Sequence, residues 1–562
     1  MTQNLAWTFP LTRTHTGVPL GNGRTGLIVW GGGSTLRITV GRADLWDHRG
    51  GMPWTERQNY HDIRARLEAN DEAGIRELFR PETARTPGQP AKPSVLPLGR
   101  IDLTLAEGWE LTSARLVLEA GEVHVGYARG EAKKEMRVSL HPEHDLAWVV
   151  NVADVASVAA VTSWDLLGDR LESLSFAPPV ALAGAADHGP AGGWFWALPN
   201  DPGVWVAWAA ASRAAAERAP GGPLRHDALA IVAGRAPDAP AADGARAAAL
   251  ASIDLERADE ETHAWWRRYW QRVPRIDLPN ASLQEIHDSG LYLFAGLTNP
   301  RGVAATLQGP WIEEYDFPPW SSDYHFNINV QMCYSPAVRA GLFDHLRPLF
   351  DLVWSWRGQL RQNARNFIGV EDGYMLPHAV DDRCTCMGTF WTGTIDHACT
   401  AWVAQMMYDY ADYSGDVEFL REVALPFMRG VFAVYRAMME DDGEALRLPV
   451  TVSPEYRGAS MDAWGANASF QLAAVHRLCG NLTAAAASVG ESPDLAWGEV
   501  RRRLPQATLT GGESPRIALW EGVDLEESHR HHSHLAGIVP FDTIDPLSHT
   551  WSQVAANSLR HW

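Results

Sequence analysis

The segment Trp320-Ser-Ser-Asp-Tyr-His-Phe-Asn-Ile-Asn-Val-Gln-Met-Cys-Tyr334 carries polar groups in a pattern suited to chemistry. His325, Asn327 and Asn329 occupy alternate positions, and in extended backbone alternate side chains share a face. One imidazole and two amides on one face can grip several hydroxyls or hold a water. Buried without partners, each would cost about 1–3 kcal/mol. Trp320, Tyr324 and Tyr334 flank them and offer flat apolar surface for stacking a sugar ring. The competing reading is a polar turn that satisfies its own backbone.

Thr451-Val-Ser-Pro-Glu-Tyr-Arg457 supplies the candidate acid, Glu455. Pro454 stiffens the turn. Tyr456 and Trp464 nearby would desolvate the carboxyl and raise its pKa, holding it protonated near neutrality. A surface Glu in a turn is the plain alternative. The run Glu527-Ser-His-Arg-His-His-Ser-His534 places four histidines and an arginine within six residues. Its spacing matches no familiar zinc pattern, so no metal is assigned and Arg530 and His531 are read as hydroxyl donors. Capping histidines are the alternative. Asp381-Asp382 reads as a solvated pair. The Gly-rich turns at 19–24 and 31–33 lack the Lys-Ser/Thr of a phosphate loop.

The elements that would position these groups change character along the chain. Short runs at Thr25–Trp30, Thr35–Val40, Arg100–Leu105, Arg115–Leu118, Glu122–Tyr127, Ala147–Val152 and Val204–Ala210, punctuated by Gly and Pro, read as strands. One helix, Ile63–Phe79, interrupts them. Residues 211–250, rich in Ala, Gly and Pro, read as loose excursions. From about 256 helices take over, beginning with the aromatic helix around Glu261–Trp270, and then near 282–297, 336–347, 349–367, 393–413, 416–439, 466–488, 494–504 and 549–562. Helix after helix without strands predicts an α/α toroid, with the informative segments on the loops between helices. The expected architecture is therefore multidomain β plus α. A β-sandwich spans 1–255, a helical linker 256–281 and a helical barrel 282–562.

Composition excludes several classes. At 562 residues the chain exceeds one core, and a net charge of -20 argues against nucleic acid or an anionic membrane as partner. Lys92, Lys133 and Lys134 are the only lysines, so arginine carries nearly all positive charge. The 25 tryptophans suit sugar handling but also a helical toroid. Five cysteines, an odd number without framework spacing, read as free thiols. With no basic-apolar leader and no membrane-length apolar run, the expectation is a cytoplasmic protein.

Pro-Leu-Gly-Asn-Gly-Arg (19–24), Asp-Leu-Trp (44–46), Pro-Leu-Gly (97–99), Trp-Trp-Arg-Arg-Tyr-Trp (265–270), Leu-Gln-Gly-x-Trp (307–311), His-Phe-Asn-Ile-Asn-Val-Gln-Met (325–332), Ser-Pro-Glu (453–455) and His-Arg-His-His-Ser-His-Leu (529–535) follow in order. Together they resemble glycoside hydrolase family 95, whose members are α-L-fucosidases with some acting on α-L-galactosides. The resemblance implies an N-terminal β-sandwich, a helical linker, an (α/α)6 barrel and an inverting mechanism without cofactor on an oligosaccharide or glycoconjugate. It implies Glu455 as general acid, Asn327 and Asn329 as positioners of the attacking water, and His325, Arg530 and His531 as sugar contacts. The family's downstream aspartate motif is absent, which leaves Asp323, Glu521 and Asp524 as unranked substitutes for the base. The resemblance also implies further barrel helices and a C-terminal β domain, so the expectation is a truncated chain of poor stability. Two other readings stay open: a sugar-binding protein without turnover and a toroidal polysaccharide lyase.

Overall fold

The computed structural model describes residues 4–81, 86–183, 191–211, 227–388 and 390–562. The chain forms two compact units. One comprises Met1–Gly50, Arg85–Asp323 and Arg339–Leu349; the other comprises Gly51–Ala84, Tyr324–Val338 and Phe350–Trp562.

The first unit is rich in antiparallel sheet. A nine-stranded sheet runs in the order Leu5–Thr8, Glu110–Val117, Glu122–Arg129, Ala132–Leu140, Leu146–Val150, Ala228–Ala236, Gly203–Ala211, Ala191–Trp196, Val180–Ala181. A five-stranded sheet runs Val155–Thr162, Gly99–Leu105, Thr35–Arg42, Thr25–Gly32, Val18–Gly21. Gly99–Leu105 alternates buried and half-buried residues along its length, the period-two signature of a strand with one covered face. Leu27, Val29, Leu36, Ile38, Ile101, Leu103, Val123 and Val125 have no exposed surface and form the unit's core.

Each strand expected from the sequence overlaps one of these strands, and Leu5–Thr8, Val18–Gly21, Ala132–Leu140, Val155–Thr162, Val180–Ala181, Ala191–Trp196 and Ala228–Ala236 are additional. The reading of 211–250 as loose is corrected. Its described part holds the strand Ala228–Ala236 and the helix Ala239–Ala251, capped by Asp238, while 212–226 lie outside the described residues. Alanine lacks the bulk that marks a strand, and here Ala228 and Ala230 are buried by their neighbours rather than by their own size.

The units do not part at residue 255 or 281. Leu255–Arg272 and Ala281–Leu297 both belong to the first unit. Asp259 on the former accepts the indole N–H of Trp148 at 2.9 Å, and Trp266 stacks on Tyr292 with ring centroids 5.1 Å apart.

The second unit is helical. Arg357–Ile368, Ala398–Ser414, Leu425–Met438, Ser469–Ser488, Leu495–Arg503 and Ser552–His561 are among its helices. Ala398–Ser414 and Leu425–Met438 pack against Ser469–Ser488 through residues such as Val403, Met407, Val431, Leu472 and Val475, which have no exposed surface. Gly369 and Gly415, both at φ 73°, end two of these helices in the left-handed conformation that glycine adopts without penalty.

The single helix expected over Ile63–Phe79 is two, Tyr60–Glu68 and Glu72–Leu78, divided at Asn70 with φ 52°. Both join the helical unit, where the Tyr60 hydroxyl donates to the Val450 carbonyl at 3.2 Å. Among the described residues no helix is long and apolar enough to cross a membrane. The five cysteines are free.

Candidate functional site

Three separate stretches of the helical unit converge on Glu455. The first is the turn Ser453-Pro-Glu-Tyr456, closed by the Tyr456 N–H on the Ser453 carbonyl at 3.2 Å. Proline takes the second position and Glu455 the third, with φ 58°. A non-glycine residue in this left-handed region is strained by about 1–2 kcal/mol. Such strain persists only where the surroundings hold it, and it is concentrated at functional sites. Ser453 anchors the turn to the third stretch by a hydroxyl–hydroxyl hydrogen bond to Ser533 at 2.5 Å.

The second stretch is Tyr324-His-Phe-Asn-Ile-Asn329. It is extended only over Tyr324–His325, which pairs antiparallel with Ala379–Val380, and Asn329 begins the helix Asn329–Tyr334. The expectation that His325, Asn327 and Asn329 share one strand face is therefore corrected. Asn327 is buried and donates its amide N–H to Glu455 Oε1 at 2.8 Å. A carboxylate only accepts, so the amide nitrogen must face it and Oδ1 must point away. That Oδ1 is buried and has no partner among the described residues. Asn329 is exposed at the start of its helix and makes no hydrogen bond to Glu455, Asn327 or His325. The flanking aromatics also differ from expectation. Tyr324 and Tyr334 are buried at 1% and 2% exposure, with Tyr324 edge-on to Trp356, whereas Trp320 is exposed.

The third stretch is the histidine-rich run, which the structure splits by role. Arg530 pairs with Glu455 Oε2, and His531 Nε2 lies 3.3 Å from the same oxygen. His529 packs edge-on against Tyr456 and bonds the Pro454 carbonyl at 3.2 Å. His532 is exposed beside Trp562, and His534 is buried, with burial pushing its pKa down to about 4.

The electrostatics of Glu455 reverse the sequence-based expectation. Its carboxyl is drawn down to about 2 by the hydrogen bond from His531, then by Asn327 and the charge of Arg530, which together outweigh partial burial. The Tyr456 ring is buried against Trp520 and Leu525. In the free site Glu455 is an anion.

His378 is the residue the sequence reading missed. It lies just before the strand Ala379–Val380, and its carbonyl accepts the Phe326 N–H at 2.8 Å. Its Nε2 sits 3.0 Å from His325 Nε2 with the rings perpendicular. Burial, then the neighbouring His325, push its pKa down to about 3. Nothing local in Leu-Pro-His-Ala-Val marks it; the strand pairing supplies the partner. Asp381, read as solvated, is buried and accepts the backbone N–H groups of Arg383 and Thr385.

Of the substitutes for a base, Glu521 is bound by Arg447 and Asn467, and Asp524 by Arg516. Asp323 is buried in the first unit. A half-buried carboxylate ringed by an amide, a guanidinium and imidazoles can hold hydroxyls and exchange a proton with them.

The sequence profile of the glycosyl hydrolase family 95 catalytic domain matches residues 241–561, more than half of the chain. The chain belongs to glycosyl hydrolase family 95. A 286-residue stretch, 48% of the chain, is 27% identical to "Alpha-L-fucosidase 2" of Arabidopsis thaliana, and 159 residues are 29% identical to "Probable alpha-fucosidase A" of Aspergillus niger, 28% of the chain. These matches span 33% and 20% of the relatives' own lengths. In fold the family 95 chain is similar to a human-microbiome protein assigned as a kojibiose phosphorylase, with TM-score 0.54 at 8% identity over 90% of this chain and 70% of that one.

Proposed function

We propose that the chain is an inverting glycoside hydrolase that releases a terminal α-L-fucosyl, or α-L-galactosyl, residue from an oligosaccharide or glycoconjugate. The observation that carries this reading is the convergence of Asn327, Arg530 and His531 on the carboxylate of Glu455 in a chain of family 95. Under this reading the strands of the first unit are the family's sandwich, the helix Leu255–Arg272 within that unit is its linker, and the helical unit supplies helices of the (α/α)6 barrel.

Glu455 would donate its proton to the glycosidic oxygen while a water attacks the anomeric carbon from the opposite face. The bond to the leaving oxygen breaks as the bond to water forms. Asn327 Oδ1, an amide oxygen without a partner among the described residues, suits the attacking water, and Asn329 borders the same segment. An amide has almost no proton affinity at pH 7, so it positions rather than deprotonates, and the base stays unassigned. Arg530 and His531 are donors that sugar hydroxyls can take over. His325 supplies a further contact. Once substrate hydroxyls draw those donors away, the anion of Glu455 loses its stabilising partners and its pKa rises toward the range of a working acid.

The low pKa in the free site favours a second reading, a sugar-binding protein without turnover. Leaving-group dependence separates the two. Glu455→Gln should depress hydrolysis of an alkyl α-L-fucoside by about 10²–10⁴-fold and that of α-L-fucosyl fluoride far less, because fluoride departs without a proton. Binding of both substrates with hydrolysis of neither would establish the binder.

A further inference from the structure

The two Nε2 atoms of His325 and His378 face each other at 3.0 Å. One ring nitrogen from each and one carboxylate oxygen of Glu455 all lie within 4.8 Å of one another. The backbone fixes the two rings. His325 ends the strand Tyr324–His325, whose register places it opposite Ala379, and the Phe326 N–H is tied to the His378 carbonyl. Glu455 is held by its turn, and its most exposed partner, Arg530, has 72% of its side chain in solvent.

We propose that His325, His378 and Glu455 form a binding site for a divalent first-row transition metal ion of the Zn2+ class. Two imidazoles and a carboxylate are the donor set of several three-ligand zinc sites, which leave the fourth position to water. Metal–ligand bonds of about 2.0–2.2 Å place tetrahedral ligand atoms roughly 3.3–3.5 Å apart. The histidine pair is already near that spacing. The carboxylate oxygen lies within 4.8 Å of both, and exchanging the exposed Arg530 for the ion lets it close to that spacing. For both Nε2 lone pairs to reach the ion each ring must carry its hydrogen on Nδ1; that of His378 is buried with no partner among the described residues. The nitrogen-rich set selects against Ca2+ and Mg2+, which take oxygen ligands.

The ligands come from the strand pair and the Glu455 turn rather than from the histidine-rich run. A second group, His378, Asp396 and Cys399, shares one ring with the site, but all three residues are buried. Asp396 there is occupied by Gln471 at 2.7 Å and Cys399 at 3.4 Å.

If Glu455 is the general acid, as the hydrolase reading holds, the ion would occupy the carboxylate that must carry the proton, and it would inhibit. Binding itself does not depend on that reading. Titrating the full chain with Co2+ should give one equivalent of the intense visible absorption of four-coordinate cobalt, displaced by Zn2+. His325→Ala and His378→Gln should each weaken binding at least ~10-fold, and Cys399→Ser should leave it unchanged. Melting curves would show that each variant is folded. His325, partly exposed, is the substitution less demanding on the fold. Absence of cobalt bands, or bands kept in His325→Ala, would overturn the site. Loss in Cys399→Ser alone would place the ion in the buried group instead. Cobalt binding with no sugar released in metal-free buffer would overturn the hydrolase reading and leave the metal site standing.

Discussion

Glu122 in the β-rich unit and Glu455 in the helical unit look alike by electrostatics and differ in everything else. Burial works against the charge of Glu122, but hydrogen bonds from His124 and His263 and the charge of Arg137 outweigh it, and its carboxyl lies at about 2. Glu455 reaches about 2 through His531, Asn327 and Arg530. Glu122 begins the regular strand Glu122–Arg129 and is 4% exposed. Its Oε1 is fixed by His263 at 2.6 Å and Arg137 at 2.7 Å. Arg137 is in turn locked to Asp259. Glu455 occupies a left-handed backbone position, keeps 30% of its side chain in solvent and is gripped by an arginine that is mostly exposed. A depressed pKa therefore does not mark function by itself. What separates the two carboxylates is whether the donors can be exchanged. Those of Glu122 are built into strands and a helix; of those of Glu455, Asn327 is buried, but Arg530 and His531 lie outside regular elements and Arg530 is mostly exposed.

Substitutions at the two positions should pull activity and stability apart. The largest effect is Glu455→Gln, which should cost about 10²–10⁴-fold in turnover of unactivated fucosides while leaving unfolding free energy within about 1 kcal/mol. Glycosidase assays beside urea melts would check both halves, and equal losses of stability would erase the distinction. Glu122→Gln should do the reverse. It leaves His124, His263 and Arg137 without their buried anion and should destabilise by about 3 kcal/mol, with activity per folded molecule retained.

Acid titration sharpens the contrast. Both carboxyls fall from an ordinary value of 4.5 to about 2 in the folded chain, so the stability they confer is complete above pH 4.5 and is lost as pH drops toward 2. His124 and His263 are raised by Glu122, so their share is complete below the ordinary histidine value of 6.5 and fades as pH rises through the raised values. Melting temperatures from pH 5 to 2 should fall steeply in the wild type and less steeply in Glu122→Gln. Glu455→Gln should flatten the slope less, because solvent screens its pairs. The smallest effect is Glu455→Gly. Release of the left-handed strain, about 1 kcal/mol, should offset the lost hydrogen bonds and leave the melting temperature near that of the wild type.

The sequence exposed the parts of the fold where side chains report their own environment. Gly99–Leu105 and Glu122–Arg129 alternate by residue type, and Leu255–Arg272 carries its aromatics at helical spacing. Ala228–Ala236 was missed because its burial comes from neighbouring strands, not from bulky residues of its own. In the site, Glu455, Asn327, His325, Arg530 and His531 were legible as unusual polar runs and do come together. Asn329 fails to join them because the extended backbone ends before it. His378 was illegible, since it gains its meaning only from the pairing of Tyr324–His325 with Ala379–Val380. The charge state of Glu455 was misread for the same reason: its controlling partners are 75 and 76 residues away in the chain.

The most direct measurement is proton NMR of the wild type and Glu455→Gln chains incubated with a 2'-fucosylated oligosaccharide. β-L-Fucose should appear first, from the wild type only, and equilibrate later to the α form. Initial release of α-L-fucose would contradict inversion, and equal release by Glu455→Gln would contradict the assignment of the acid.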